Sequence, residues 1–172
     1  VLVTGGTGGV AVIATKILIK LGYSVVVSTG KLEEQKEVLL NLGVKDVIHR
    51  SEVDDNSGRP LLRPRWAGVI DTVGGNTLAT AIKTTNYCGA VTTCGNAGGV
   101  DFTSSVYPFI LKGITLYGID SVDCPMNLRL KIWDLLSNEW KLDDLDDMVN
   151  VVSLEELNDS IDSIMAGWKN SS

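Results

Sequence analysis

The chain has 172 residues, 44% of them hydrophobic and 21% charged, and a net charge of −6. That is enough for one domain burying roughly 70% of its unfolded surface, and the balance excludes a disordered chain. Lys and Arg are scattered, apart from Arg59, Arg63 and Arg65, so the basic face of a nucleic-acid binder is missing; no apolar run reaches the ~18 residues of a membrane span.

Strand-like and helix-like segments then alternate along the chain. Val1-Leu2-Val3 opens an apolar run that reads as a strand already under way. With no Met at its start, the chain reads as a piece of a longer protein, and no basic-then-apolar leader precedes that run. Residues 1–4 are predicted as strand and 10–21 as helix. That helix is apolar on nearly every side, which predicts burial, and Gly22 stops it. Residues 24–28, SVVVS, form a β-branched run without alternation, the mark of a buried parallel strand. Residues 33–42 are helix, with acids in the first turn favouring the positive dipole end. A short strand follows at 46–49. Residues 51–65 carry Gly58, Pro60 and Pro64 and read as a loop.

Further strands are predicted at 68–71, 89–94 and 114–119, with a helix at about 77–86 between the first two. Ser104 or Ser105 caps a short helix running to Lys112. Asn127 caps the next, whose apolar face is Leu128, Ile132, Leu135 and Leu136. The last helix opens with a capping box from Ser153 to Glu156 and carries Leu154, Leu157, Ile161, Ile164 and Met165 at helical spacing. Between these two helices, residues 143–147 form an acidic patch expected as a solvated face. Six strands with helical crossovers predict one α/β unit over residues 1–172. It is a doubly wound parallel six-stranded Rossmann sheet with helices on both faces.

Cys88, Cys94 and Cys124 are widely spaced and odd in number, and His49 is the single histidine. They match no zinc or redox spacing, so no metal is expected. Reduced thiols of a cytoplasmic protein are the plain reading.

The sharpest motif is Gly5-Gly6-Thr7-Gly8-Gly9-Val10-Ala11, which contains G-x-G-x-x-A at Gly6, Gly8 and Ala11. It lies between the first strand and the first helix, the context that gives the motif meaning. The first glycine permits the tight turn, the second leaves room for a pyrophosphate, and the small third residue lets helix lie on strand. The helix N-terminus then offers free N–H groups to phosphate. Gly6, Thr7, Gly8, Gly9 and Val10 are the candidate dinucleotide-binding residues; a purely structural turn is the competing reading.

An NAD-binding unit usually ends its second strand with Asp or Glu. Here that end reads Ser28-Thr29-Gly30-Lys31, with no acid between Gly22 and Glu33. Two hydroxyls and an ammonium suit a 2′-phosphate, which a carboxylate would repel, so NADP is expected over NAD. The bland alternative has Ser28 and Thr29 capping the next helix and Lys31 solvated. Arg50, at the end of the third strand, adds charge, stacks on adenine, or lies on the surface.

Ligands of open α/β sheets lie beyond the carboxyl ends of the strands. The remaining ends read Asp71-Thr72-Val73-Gly74-Gly75, Cys94-Gly95-Asn96-Ala97-Gly98-Gly99 and Ile119-Asp120-Ser121. Their glycines are expected to permit close backbone approach to a flat nicotinamide. Cys94 lacks a partner histidine unless His49 reaches it from another strand, so it reads better as packing beside the cofactor than as a nucleophile. Asp71 and Asp120 orient ribose hydroxyls or are solvated loop acids.

These stretches, VTGGTGGVA, STGK, WAGVIDTVGG, NYCGAVTTCGNAGG, PFILKGITLYGIDSV and CPMNLRLKIW, together resemble the cofactor-binding domain of the medium-chain dehydrogenase/reductase superfamily. More narrowly, they resemble its zinc-independent quinone oxidoreductase branch, which includes acryloyl-CoA reductases. The match runs from Val1 to about Trp133, and a weaker pattern continues to about Gly167. The resemblance implies an NADPH-dependent reductase that passes hydride to the β-carbon of an electron-poor alkene, such as an enoyl thioester, or to a quinone. It implies that Ser28, Thr29, Gly30 and Lys31 hold the 2′-phosphate with Arg50. Val73, Cys94, Gly95, Ile119 and Ser121 would flank the nicotinamide.

The chain departs from that pattern in three places. Ala11 stands where the family usually has glycine. Gly167-Trp168-Lys169-Asn170 replaces a Gly-Arg and closing strand. The GroES-like barrel that precedes this domain in the family is missing, so substrate contacts and catalytic residues are expected upstream and the fragment alone is expected to be inactive. The resemblance also implies a homodimer through the apolar sixth strand, Ile114-Thr115-Leu116-Tyr117-Gly118-Ile119, whose uncovered edge invites pairing. Two rival readings remain. A short-chain dehydrogenase needs a Tyr and Lys four apart, and none of Tyr23, Tyr87, Tyr107 or Tyr117 has one. A non-catalytic NADP-sensing module satisfies the glycine turn equally well.

Overall fold

The computed structural model describes residues 1–146, 149 and 151–169. In chain order its elements are β1 (Leu2–Val3), α1 (Gly9–Lys20), β2 (Val26–Thr29), α2 (Leu32–Asn41), β3 (Asp46–His49), β4 (Trp66–Asp71), α3 (Gly75–Thr84), β5 (Thr85–Thr93), α4 (Tyr107–Lys112), β6 (Thr115–Gly118), α5 (Met126–Ser137) and α6 (Leu157–Lys169). A 3₁₀ turn, Arg50–Val53, follows β3 at the start of the predicted loop. The strands form one sheet in the order β3-β2-β1-β4-β5-β6, and every pairing is parallel. This is the expected doubly wound sheet. Strand order reverses between β1 and β4, which opens a crevice at their carboxyl ends.

Side-chain alternation divides the core in two. Leu2, Val69 and Val91 point to one face, where Leu78, Ala81 and Ile82 of α3 cover them. Val3, Val27 and Val47 point to the other, against Ala11 of α1 and Leu39 of α2. Burial on both faces explains why the strands read as continuous apolar runs rather than alternating ones.

Several predicted features shift. The first helix is not buried all round: only Ala11 and Thr15 are buried, and Val10 and Ile13 are exposed. A helix against a sheet hides one stripe, and composition alone does not say which stripe gains a neighbour. α3 starts two residues early and β5 four, at Thr85. The intervening residues carry a register shift opposite Trp66 and Gly68, with Cys88 at φ 56°. Asn127 does not cap α5: Pro125 stands at that position and Asn127 falls in the first turn. No residue of α5 is buried, and the apolar face of α6 is exposed at Leu157, Ile161, Ile164 and Met165.

The predicted capping box fares better. Glu156 Oε2 accepts the Ser153 N–H at 3.0 Å, half of a capping box. Ser105 does not cap α4: Val106 stands at the N-cap with no side-chain cap, and Ser105 Oγ makes only a 3.4 Å contact with the Tyr107 N–H. In the acidic run, Asp143 is exposed, while Asp144 pairs with Lys16 of α1 and so ties this segment to the first helix. Asp147 and Asn170 lie outside the described residues. Among the described residues no helix is long and apolar enough to cross a membrane.

Candidate functional site

Parallel strands deliver all their carboxyl ends to one edge of the sheet, and every predicted site residue lies along it. The glycine turn leaves β1 in the middle. The Gly6 N–H donates to Ser28 O at 2.9 Å and the Gly8 N–H to Gly5 O at 2.9 Å, folding the turn against β2. A Cβ on Gly6 would overlap Val27 Cγ1, whereas one on Gly9 would meet nothing within 4 Å. Gly6 is therefore required by packing, Gly8 is tight against the Gly5 carbonyl at 3.3 Å, and Gly9 faces open space. Gly8 is the N-cap of α1, with no side-chain cap and no acid in the first turn. The Gly6 and Gly8 N–H groups are used in those two bonds, whereas among the described residues the N–H groups of Thr7, Gly9 and Val10 have no partner, a form that suits an anion. Thr7 and Val10 stand exposed beside them.

The second-strand end differs from expectation. Ser28 and Thr29 are buried, 1% and 2% exposed. Thr29 Oγ1 accepts the Lys31 N–H at 3.0 Å, so its hydroxyl shapes the entry to α2 rather than facing outward. Charge at this end comes instead from Lys31 and Arg50, both exposed. Strand register brings them together: Thr29 pairs with His49, and a Cβ on Gly30 would stand 3.1 Å from Arg50 Cδ. Gly30 thus lets the Arg50 side chain lie across the backbone. A shallow pocket beside it is lined by Gly30, Lys31, Leu32, Glu33, Glu34 and His49.

Beyond β4 and β5 the glycines serve each other. Gly74 and Gly99 form a β-bridge, and the Gly98 N–H donates to Val73 O at 2.7 Å. Cβ atoms on Gly74, Gly75 or Gly95 would collide with the backbone of Gly99, Gly98 or Thr72. Close approach here is between two loops of the chain, so these glycines are needed for loop docking as well as for any ligand alongside.

Asp71 is neither a ribose ligand nor a solvated acid, since it is fully buried. It accepts hydrogen bonds from Thr4 Oγ1 (2.8 Å), the Gly74 N–H (2.9 Å) and Thr93 Oγ1 (3.4 Å). Burial pushes its carboxyl above the usual range, and these bonds only partly offset that. Asp120 is also occupied: its Oδ1 accepts the N–H groups of Val122 and Asp123 at 2.8 and 3.2 Å.

Cys94 is exposed and hydrogen-bonds toward Asp71 O at 3.5 Å. Partial burial, and then the Asp71 charge, push its thiol up, away from the reactive thiolate. His49 lies on β3, four strand positions away or about 19 Å, so the two form no nucleophile–base pair. Gly95 follows in the interlocked loop. Ile119 is exposed, its N–H bonded to Thr93 O at 3.0 Å. Ser121 is held through its carbonyl by Arg129 of α5 at 2.8 Å, and the same guanidinium reaches Val122 O at 3.1 Å. The motif reading missed Arg129, for which the sequence offers no local signal. It passed over His49 as a site residue, although the predicted pairing of strands two and three could have placed it beside Thr29.

Residues 9–138 match the family model described as zinc-binding dehydrogenase. The chain is 44% identical to YhfP of Bacillus subtilis (strain 168), named as a quinone oxidoreductase, over 96% of this chain and 50% of that one. The crystal structure of YhfP with NAD bound superposes with a TM-score of 0.90. The acrylyl-CoA reductase AcuI of Ruegeria pomeroyi is 40% identical over 91% of this chain and 47% of its own length. YhdH of Escherichia coli K-12, solved with NADPH bound, superposes with a TM-score of 0.89 at 38% identity, covering 97% of this chain and 51% of that one. The chain thus spans about half the length of the curated relatives it matches.

Proposed function

The chain belongs to the zinc-binding dehydrogenase family, and from that premise we propose that it is the NADP-binding part of a hydride-transferring reductase. One observation carries the proposal. The uncapped, acid-free start of α1 lies at the same sheet edge as an acid-free second-strand end where Arg50 packs on Gly30, next to Lys31. The pyrophosphate would take the N–H groups around Gly6, Thr7, Gly8, Gly9 and Val10. The 2′-phosphate would take Lys31 and Arg50, with Ser28, Thr29 and Gly30 shaping the loop beneath. An aspartate or glutamate at that point would repel it. Open space over Gly9 fits such a group, since no side chain there would have to move.

When bound, the nicotinamide supplies hydride. Val73 and Ile119 would screen it from water, with Cys94, Gly95 and Ser121 along the same edge. The acceptor is proposed to be an electron-poor alkene of the enoyl-thioester type or a quinone, in keeping with the names of the relatives. Those names are all of oxidoreductases, which leaves the regulatory-module reading without support. Among the described residues no three His, Cys, Asp or Glu side chains gather as metal ligands.

Residues 1–172 are proposed to act as one cofactor-binding unit whose catalytic partner domain precedes it, in a cytoplasmic homodimer. The dimer reading is supported by β6, which among the described residues is an edge strand paired with β5 alone, with Tyr117 and the following Ile119 exposed. Sedimentation velocity on the chain tests it, and a monomer at micromolar concentration overturns it.

The test of the cofactor reading is calorimetric titration with NADPH and NADH, with and without Lys31→Ala. NADPH should bind at least about tenfold tighter, or about 1.4 kcal/mol, and Lys31→Ala should abolish the difference. Because the B. subtilis relative was solved with NAD, the NADH arm is decisive: equal affinity overturns the NADP reading, and no binding of either at millimolar concentration overturns the site.

A further inference from the structure

His49 ends β3 and lines the pocket that Lys31 and Gly30 form at the start of α2. Its ring is held by the residue two positions on. The Ser51 N–H donates to His49 Nδ1 at 3.3 Å, and Ser51 Oγ lies 2.8 Å from the same nitrogen. A backbone N–H can only donate, so Nδ1 must be an acceptor. The ring proton of the neutral imidazole therefore sits on Nε2. Capping of the 3₁₀ turn at Arg50–Val53 thus fixes the tautomer that leaves an N–H donor on the far side of the ring.

The charged groups around that pocket are of both signs. Lys31 lines it and Arg50 packs against its Gly30 wall, while Glu33 and Glu34 are exposed in the first turn of α2. Those acids are screened by solvent and favoured there by the helix dipole. Two cations beside an oriented neutral donor make a site for a dianion with several oxygens, which a hydroxyl would not fill.

We propose that His49 is a specificity-determining residue, its Nε2–H donating to the 2′-phosphate of NADP beside Lys31 and Arg50. The proposal rests on the cofactor reading above and deepens it. The ring does two separable things, and two substitutions separate them. Asparagine keeps an acceptor near the Nδ1 position, so His49→Asn preserves the cap and loses the distal donor. Glutamine places its amide N–H₂ near the Nε2 position, so His49→Gln preserves the donor and loses the cap.

The experiment is calorimetric titration of the wild type and both variants with NADPH and with NADH, alongside their thermal melts. His49→Asn should melt near the wild type but lose about tenfold of the NADPH preference, with NADH affinity unchanged. His49→Gln should melt lower and keep most of the preference. The reverse pattern, in which Asn keeps the preference and Gln loses it, leaves His49 as a cap and overturns the proposal. Equal loss of NADPH and NADH in both variants also overturns it. A wild type without NADPH preference overturns the cofactor reading and this proposal together, whereas a preference that survives in His49→Asn overturns this proposal alone.

Discussion

Thr4 Oγ1 donates a hydrogen bond to Asp71 Oδ1 at 2.8 Å in the fully buried interior, joining residues 67 apart in sequence. The same hydroxyl accepts the Thr72 N–H at 3.0 Å, and the Thr72 hydroxyl returns a bond to Thr4 O at 2.8 Å. These bonds tie the ends of β1 and β4 beneath the point where strand order reverses. The crevice that the glycine turn borders is thus floored by a closed polar knot rather than by loose loop. Gly74 and Thr93 extend it to the next loop and strand.

Removing the Thr4 hydroxyl is expected to be costly despite its small size. Thr4→Val keeps the volume but strips one donor from Asp71 and leaves the Thr72 N–H without its acceptor. Two buried groups lose partners, which costs about 2–4 kcal/mol. Urea unfolding of the wild type and variant measures it; a loss under about 1 kcal/mol means the knot is dispensable.

Asp71 also sets a pH dependence, with a definite sign. Its folded carboxyl is held above the unfolded value by burial. In the window between the unfolded value and the raised one, the native state keeps a proton that the unfolded state has released. Its contribution is thus fully present below the unfolded value and is lost as pH rises through the folded one. Wild-type stability relative to Asp71→Asn should fall as pH rises from about 4. Exposed acids with lowered values, such as Asp144 and Glu156, act in the opposite direction but cancel in the comparison. A gap that widens in favour of the wild type with rising pH would show that the carboxylate form is the stabilised one.

Two glycines of one turn should behave differently. Gly6→Ala drives a methyl into Val27, on the floor of the turn, and should cost about 2–3 kcal/mol. Gly9→Ala meets nothing within 4 Å and should change stability by less than about 0.5 kcal/mol. Paired denaturation curves decide. Equal losses would mean that backbone conformation, not the Val27 contact, governs the turn.

Lys112 on α4 reaches the end of α3 and is half-buried there. Its Nζ donates to Lys83 O at 2.9 Å, Thr85 O at 3.2 Å and Leu62 O at 3.5 Å. A cation on the last carbonyls of a helix satisfies groups the helix cannot. Burial lowers its pKa, the cost of holding that charge away from water. Lys112→Met should destabilise by about 1–3 kcal/mol and speed amide exchange across residues 62–65 and 83–85. Unchanged exchange there would remove Lys112 from the account of this corner.

The sheet, its strand order class and the glycine turn were legible because their signals are local. A β-branched run, a G-x-G-x-x-A spacing and an acid-free strand end are written within a few residues, and Gly6 against Val27 bears the turn out. Cap positions were partly legible for the same reason: the Ser153–Glu156 bond forms where propensity puts it, whereas Val106 and Pro125 stand where Ser105 and Asn127 were expected.

Surroundings were less legible. The glycines at 74, 75, 95, 98 and 99 read as room for a ligand, and only the fold shows that two loops also need them for one another. Thr29 offered a hydroxyl that local backbone claimed first. The helix at Gly9–Lys20 looked buried all round because its composition is apolar, but only the stripe at Ala11 and Thr15 meets the sheet.

By itself, then, the sequence determined the α/β alternation, the glycine turn and the acid-free second-strand end, since each depends on neighbours a few bonds away. Tertiary structure alone decided that Asp71 is buried beside Thr4, that Arg50 crosses Gly30, and that His49 stands at the Lys31 pocket. Those outcomes depend on strand register and loop docking between residues about 20 to 67 positions apart. Burial and pairing are properties of the space around a side chain, and only the folded chain supplies that space.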